Sequence, residues 1–195
     1  MRSSVNNILT VITGGSASGK SEYGEELAVR HNGKRIYIAT MYPYDDESKQ
    51  RVIKHRAARA DKSFETVECF LDLSTAFKAC DNPIDSVVMI ECMSNLLANE
   101  MFMDNGCLNG IDDIKRLKAV ILEKIVNPII SAADYYSEII IITNEIFMDG
   151  CNYDEVTTRY IELLAFINNS LANAANRVAE VVCSIPVYIK GEDIC

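Results

Sequence analysis

Thr13-Gly-Gly-Ser-Ala-Ser-Gly-Lys-Ser21 decides how the rest of the chain is read. Gly14, Gly19, Lys20 and Ser21 satisfy the pattern G-x-x-x-x-G-K-[ST], with Gly15, Ser16, Ala17 and Ser18 between them. Small residues let successive backbone N–H groups turn inward around a phosphate. A helix starting here adds its positive end. Lys20 has the reach for the outer phosphates, and the Ser21 hydroxyl suits Mg²⁺. The stretch follows an apolar run, Ile8 to Ile12, and precedes a helix-like segment from Glu22 to about His31, stopped by Asn32-Gly33. Strand, loop and helix in that order imply a site for a nucleoside triphosphate.

Outward from this loop the chain alternates. Arg35–Thr40 reads as a second strand, which makes a right-handed βαβ unit and aims Thr40 at the same sheet edge as the phosphate loop. Asp45-Asp46-Glu47 opens a helix to about Ala60. Phe64–Glu68 is a short strand, Leu73–Cys80 a helix, and Val87–Cys92 an apolar strand tipped by Glu91. Asn95 and Asn99 follow on a helix, as substrate contacts or as a polar face. Asp112 to about Ala133 reads as one long amphipathic helix with Pro128 near its end, Ser137–Thr143 as a buried strand, and Tyr153 to about Ala175 as a helix buried on more than one side. Val178–Cys183 and Val187–Lys190 close the chain as strands around Ile185-Pro186. The pattern predicts an α/β fold with a mainly parallel sheet and helices on both faces.

The totals bound the partners. A chain of 195 residues with a net charge of −9 fits one domain and argues against general nucleic-acid binding. Seven cysteines without a C-x-x-C pair read as reduced core residues of a cytosolic protein. No run reaches membrane-spanning length, no signal peptide is expected, and Asp104–Asp113 is the most linker-like stretch.

One cluster breaks the acidic balance. Lys49, Arg51, Lys54, Arg56, Arg59 and Lys62 place six of nineteen basic residues within fourteen positions, around His55. Arg51, His55 and Arg59 are spaced to share a helical face. Two readings stand. Either this is a solvated basic helix with an incidental histidine, or His55 is a nucleophile for a phosphorus centre, kept neutral by flanking cations. Glu91 likewise reads as a contact to Mg²⁺ or its water shell, or as an acid capping the next helix.

The loop, Tyr37-Ile-Ala-Thr40, Asp45-Asp46-Glu47, Arg51-x-x-x-His55-Arg56-x-x-Arg59, Thr66-Val-Glu68, Ile90-Glu91-Cys92, Thr143-Asn144-Glu145 and Ile185-Pro-Val-Tyr-Ile-Lys190 occur in that order. In them the chain resembles the bifunctional adenosylcobinamide kinase / adenosylcobinamide-phosphate guanylyltransferase family over almost its whole length. The resemblance implies a single P-loop domain over residues 1–195 with a RecA-like core, assembled as a cytoplasmic homotrimer. It also implies two reactions of cobalamin biosynthesis. ATP or GTP phosphorylates adenosylcobinamide, and GTP then gives GMP to adenosylcobinamide phosphate through a histidine–GMP adduct, the matching position being His55. Arg56 and Arg59 would grip the phosphates, Glu68 and Glu91 would lie near the nucleotide, and Ser21 and Glu91 would serve Mg²⁺. The chain departs from the family pattern at Ile146–Asn152 and within Arg159–Asn169, where Arg159 and Asn168 remain. A plain P-loop kinase of a small hydroxyl compound, and a non-catalytic nucleotide-binding module, are the competing readings.

Overall fold

The computed structural model describes residues 7–78, 82–147 and 150–192. Among them seven strands form one sheet. In chain order they are β1 (Ile8–Thr13), β2 (Lys34–Ala39), β3 (Phe64–Glu68), β4 (Ser86–Glu91), β5 (Glu138–Ile142), β6 (Arg177–Val182) and β7 (Ile185–Lys190). Across the sheet the order is β3-β2-β4-β5-β1-β6-β7. All neighbours are parallel except β6 and β7. This is the expected α/β architecture, a mainly parallel sheet with helices.

The helices are α1 (Lys20–Val29), α2 (Asp46–Arg59), α3 (Leu73–Lys78), α4 (Met93–Phe102), α5 (Ile114–Ile121), α6 (Asn127–Ala133) and α7 (Glu155–Ala174). Strand order and handedness sort them onto two faces. From β1 to β2 and from β2 to β3 the chain moves one way across the sheet, and from β3 onward through β6 it moves the other way. Right-handed crossovers therefore place α1 and α2 on one face and α3 to α7 on the other. The core divides accordingly. Tyr23 and Leu27 of α1 pack with Ile12, Met89, Ile140 and Ile142. The alternate residues Val11, Val88, Ile90, Ile139 and Ile141 pack under α4 to α7. Ile139 to Ile142 are all fully buried, which explains why β5 reads as an unbroken apolar run. Each such side chain contributes about 1.5–3 kcal/mol.

Several expectations need correction. The helix after the phosphate loop starts at Lys20 and ends at Val29, short of His31. The long helix from residue 114 to 133 is not uniformly α-helical, because Leu122–Val126 form a π turn in which the Asn127 N–H donates to the Leu122 carbonyl. Pro128 is the reason: it has no N–H and its ring clashes with the carbonyl four residues back. α7 buries a single stripe, Leu163, Leu164, Ile167 and Leu171, while Val156 is exposed.

The 104–113 segment is tethered rather than linker-like. The buried Glu100 carboxylate accepts from the N–H groups of Asp72 and Cys107, and Leu108 is buried. Pro186 lies inside β7, an edge strand where its missing N–H is no loss. Cys183-Ser184 make the two-residue turn before it with φ of 50° and 64°, the conformation a tight hairpin demands. Of the cysteines placed in the core, Cys69 and Cys92 are buried, whereas Cys151 and Cys183 are exposed. Cys80 and Cys195 lie outside the described residues.

Candidate active site

The carboxyl ends of the parallel strands lie level. Ala39 pairs with Glu68 on one side and Glu91 on the other, Glu91 pairs with Ile142, and Ile142 with Ile12. The phosphate loop, Glu91 and Glu68 therefore share one edge, where such sheets bind ligands.

The loop is braced by its neighbours. Its Gly14 carbonyl accepts from the Glu145 N–H at 3.1 Å, and its Ser18 carbonyl from the Ser184 N–H at 2.8 Å. Gly19 has φ of 92°, and a Cβ there would lie 2.6 Å from Ser184 Oγ, so only glycine fits both the turn and the hairpin above it. Lys20 is buried and its Nζ donates to the Gly15 carbonyl at 2.9 Å. Burial lowers its pKa from the ordinary lysine range. A polyphosphate would reverse that pull. Gly15, Ser16 and Ala17 are exposed at the loop surface. The Ser18 hydroxyl is enclosed, with no hydrogen-bond partner among the described residues.

Ser21, in the first turn of α1, donates its hydroxyl to Glu91 Oε1 at 2.5 Å. Hydroxyl and carboxylate thus meet beside the phosphate loop, although β5 lies between β1 and β4. Hard oxygen donors of this kind suit Mg²⁺, which is bound by one or two protein oxygens together with phosphates and water. Among the described residues no group of three His, Cys, Asp or Glu side chains forms a cage. The second Glu91 oxygen accepts from the Tyr37 hydroxyl at 2.8 Å. The Glu91-Cys92 peptide is cis.

Arg59 is placed otherwise than on an open phosphate-binding face. It is buried at the end of α2, its guanidinium stacks 3.5 Å from the centre of the Tyr37 ring, and its Nη1 lies 3.7 Å from Oε1 of buried Glu25. Lys62 also donates to Glu25. Nε and Nη1 of Arg59 have no hydrogen-bond partner among the described residues. A cavity of about 60 Å³ is bounded by Arg59, Tyr37, Glu91, Val52 and Asn95. A larger one of about 260 Å³, lined by Tyr42, Tyr44, Asp45 and Asn95, continues along α2 and shares Met41 and Asn95 with the first.

Thr40 directly follows the end of β2 at this edge, its N–H donating to the Glu91 carbonyl. It is fully buried, and its hydroxyl donates to the Cys92 carbonyl at 2.8 Å. Asn99 does not sit on a solvated polar face, although it lines the larger cavity. It is buried and donates to the carbonyls of Thr40 and Phe70. Glu68 is exposed at the end of β3. The side chains of His55 and Arg56 lie outside the described residues, while their backbone is part of α2. Two residues without a role in the sequence reading prove central, Tyr37 and Glu25. Tyr37 stood in the quoted Tyr-Ile-Ala-Thr stretch. Its pairing across strands has no local signal.

A phosphate loop closing on its own lysine, with a serine hydroxyl and a strand-end carboxylate meeting beside it, defines a P-loop nucleotide-binding protein. The family described as cobinamide kinase / cobinamide phosphate guanyltransferase matches residues 10–189, and the chain belongs to it. As a member it is an enzyme, a kinase and a guanylyltransferase. It is 30% identical to the bifunctional adenosylcobalamin biosynthesis protein CobU of Escherichia coli K12, over 94% of this chain and all of that one. It is 28% identical to CobU of Salmonella typhimurium LT2, again over 94% of this chain and all of that one. It is 26% identical to the bifunctional protein CobP of Pseudomonas aeruginosa PAO1, over 94% and 98% of the two chains.

Proposed function

We propose that the protein phosphorylates adenosylcobinamide and then transfers GMP from GTP to the product, in cobalamin biosynthesis, with His55 as the nucleophile of the second reaction. In the first step the acceptor hydroxyl oxygen attacks the γ-phosphorus of ATP or GTP. The bond to the nucleoside diphosphate breaks, and the hydroxyl proton leaves to solvent. In the second, an imidazole nitrogen of His55 attacks the α-phosphorus of GTP and pyrophosphate departs. A phosphate oxygen of adenosylcobinamide phosphate then displaces the imidazole, closing the new pyrophosphate bond as the P–N bond breaks.

The meeting of Ser21 and Glu91 at the phosphate loop carries this reading, alongside the family match. Position 55 gives it further support. Val52 and Arg59 of α2 both bound the small cavity beside Glu91. Positions 52, 55, 56 and 59 form one strip of a helix. Lys20 and the loop N–H groups would hold the β- and γ-phosphates, and the buried guanidinium of Arg59 would turn its two unpartnered nitrogens to phosphate oxygens. Ser21 and Glu91 would hold Mg²⁺, which neutralises phosphate charge when bound. Arg56 and Glu68 belong to the proposed nucleotide surface by position alone.

The test is incubation with α-labelled GTP and Mg²⁺. An acid-labile GMP adduct is expected on the native chain and on His31→Ala, and none on His55→Ala. An adduct that persists in His55→Ala would reject the mechanism.

Residues 1–195 acting as one domain, and assembly as a cytoplasmic homotrimer, belong to the same proposal. The exposed side chains of Ile185, Val187 and Ile189 on the edge strand support assembly. Sedimentation of the full chain should give a trimer, and a monomer at micromolar concentration would remove that part. No helix among the described residues is long and apolar enough to cross a membrane.

A further inference from the structure

Tyr37 stands between two groups that belong to different elements. Its ring, 4% exposed, carries the Arg59 guanidinium of α2 on one face at 3.5 Å. Its hydroxyl donates to Glu91 Oε2 at 2.8 Å, while Ser21 of α1 donates to Oε1 of the same carboxylate. One side chain of β2 thus touches both the anchor of the basic helix and the strand-end carboxylate of the phosphate loop. The hydroxyl is the donor and the carboxylate oxygen the acceptor in this contact.

We propose that Tyr37 is a positioning residue that joins the two halves of the site: its hydroxyl fixes the Glu91 carboxylate for the metal–phosphate end, and its ring face fixes Arg59 and with it the end of α2. The inference rests on the two-step reading above for the roles of those ends, but its own content is the division of labour within one side chain. A tyrosine that merely filled the core would show no such division. A hydrogen-bond partner that orients a metal-binding carboxylate is typically worth 10–100-fold in metal affinity. A guanidinium on an aromatic face is worth about 0.5–2 kcal/mol, or about 2- to 30-fold at 1.4 kcal/mol per tenfold.

The experiment measures binding rather than turnover, on the full chain, with a fluorescent N-methylanthraniloyl-GTP probe. Probe affinity is measured without metal and again as Mg²⁺ is titrated. Tyr37→Phe keeps the ring and loses the hydroxyl. It should raise the Mg²⁺ concentration at half-saturation about tenfold and leave metal-free probe affinity within about twofold. Tyr37→Leu loses both, and should also weaken metal-free binding about fivefold. In a Glu91→Gln background, Tyr37→Phe should produce no further shift in the Mg²⁺ midpoint, as a shared pathway requires.

Should Tyr37→Leu fail to fold, Tyr37→Met, which fills the space without an aromatic face, tests the ring arm in its place. A native Mg²⁺ midpoint in Tyr37→Phe overturns the proposal. So does an additive shift in the Glu91→Gln background, or metal-free affinity unchanged when the ring stack is removed. Absence of a GMP adduct on the native chain would instead strike the two-step reading, and this binding assay is blind to it.

Discussion

Glu25→Ala should destabilise the fold by about 3 kcal/mol, far more than removal of an ordinary helix carboxylate. Glu25 and Arg59 are 4% and 5% exposed, with Oε1 and Nη1 3.7 Å apart. Taking away the acid leaves a buried guanidinium with two nitrogens already lacking hydrogen bonds. Breaking a buried pair by removing one partner costs about 3–5 kcal/mol. The Tyr37 face lies under the guanidinium in both proteins and drops out of the difference, and the lower end of the range is taken because the pair is 3.7 Å apart rather than in close contact. Lys62, whose side chain is 35% exposed, turns to water and contributes less than about 1 kcal/mol either way. For a chain of this size the midpoint temperature should fall by about 6–12 °C. Urea unfolding followed by circular dichroism reads the effect, with an unchanged m-value showing that the folded state is otherwise intact. Glu25→Leu combined with Arg59→Met should recover most of the loss, since an apolar pair of similar volume replaces a buried ion pair at little cost. A loss below about 1 kcal/mol for Glu25→Ala would refute the claim that this carboxylate keeps the guanidinium buried.

Other outcomes follow from single contacts. Lys20→Met should lower nucleotide affinity about 10- to 100-fold by titration calorimetry, through lost charge-assisted bonds, while unfolding free energy moves by less than about 1 kcal/mol. Asn99→Ala leaves the buried carbonyls of Thr40 and Phe70 without their donor, and should cost about 2–3 kcal/mol in urea unfolding. Burial raises the Glu138 carboxyl above its usual 4.5, against the opposing pull of Arg177 and Thr10. An acid whose folded pKa is raised stabilises below its unfolded value and loses that contribution as pH rises through the folded one. The native chain should therefore lose stability relative to Glu138→Gln as pH rises above about 4.5 and through the range in which the folded carboxyl ionises, and a difference that is flat or reversed would contradict this.

What the sequence disclosed was whatever is written locally. Val87 to Ile90 and Ile139 to Ile142 announce parallel strands because both faces of each strand are buried. The phosphate loop announces itself because glycine, lysine and serine must follow at fixed steps. The acid-to-base gradient from Asp45 to Lys62 marks α2. Pairings over distance left no such trace. Glu25 meets Arg59 across 34 positions only because α1 and α2 lie on one face, and Tyr37 meets Glu91 because β2 and β4 are neighbours despite β3 lying between them in sequence. The turn of the closing hairpin reads as Ile185-Pro186 but lies at Cys183-Ser184, because its two left-handed residues are not glycines. The apolar residues of α7 suggested burial all round, yet those outside its one stripe are partly or fully exposed.

The strand order also explains how a phosphate loop and a basic helix come to share an edge. Had β3 been placed on the other side of β2, the right-handed crossover through α2 would run in the opposite sense, and α2 would lie with α4 and α7 across the sheet from α1. Instead β1, β2 and β3 succeed one another in a single direction. α1 and α2 then lie side by side, tied at Glu25 by Arg59 and Lys62. The reversal of direction after β3 carries β4 back between β2 and β5, which sets Glu91 against Ser21 on one oxygen and Tyr37 on the other. The carboxylate therefore sits between the two helices, and Ser21 of α1 is connected to Arg59 of α2 through Glu91 and Tyr37. A topology that made these helices neighbours without placing Glu91 between them would give two separate sites, whereas this one gives a single edge on which both proposed transfers would fall.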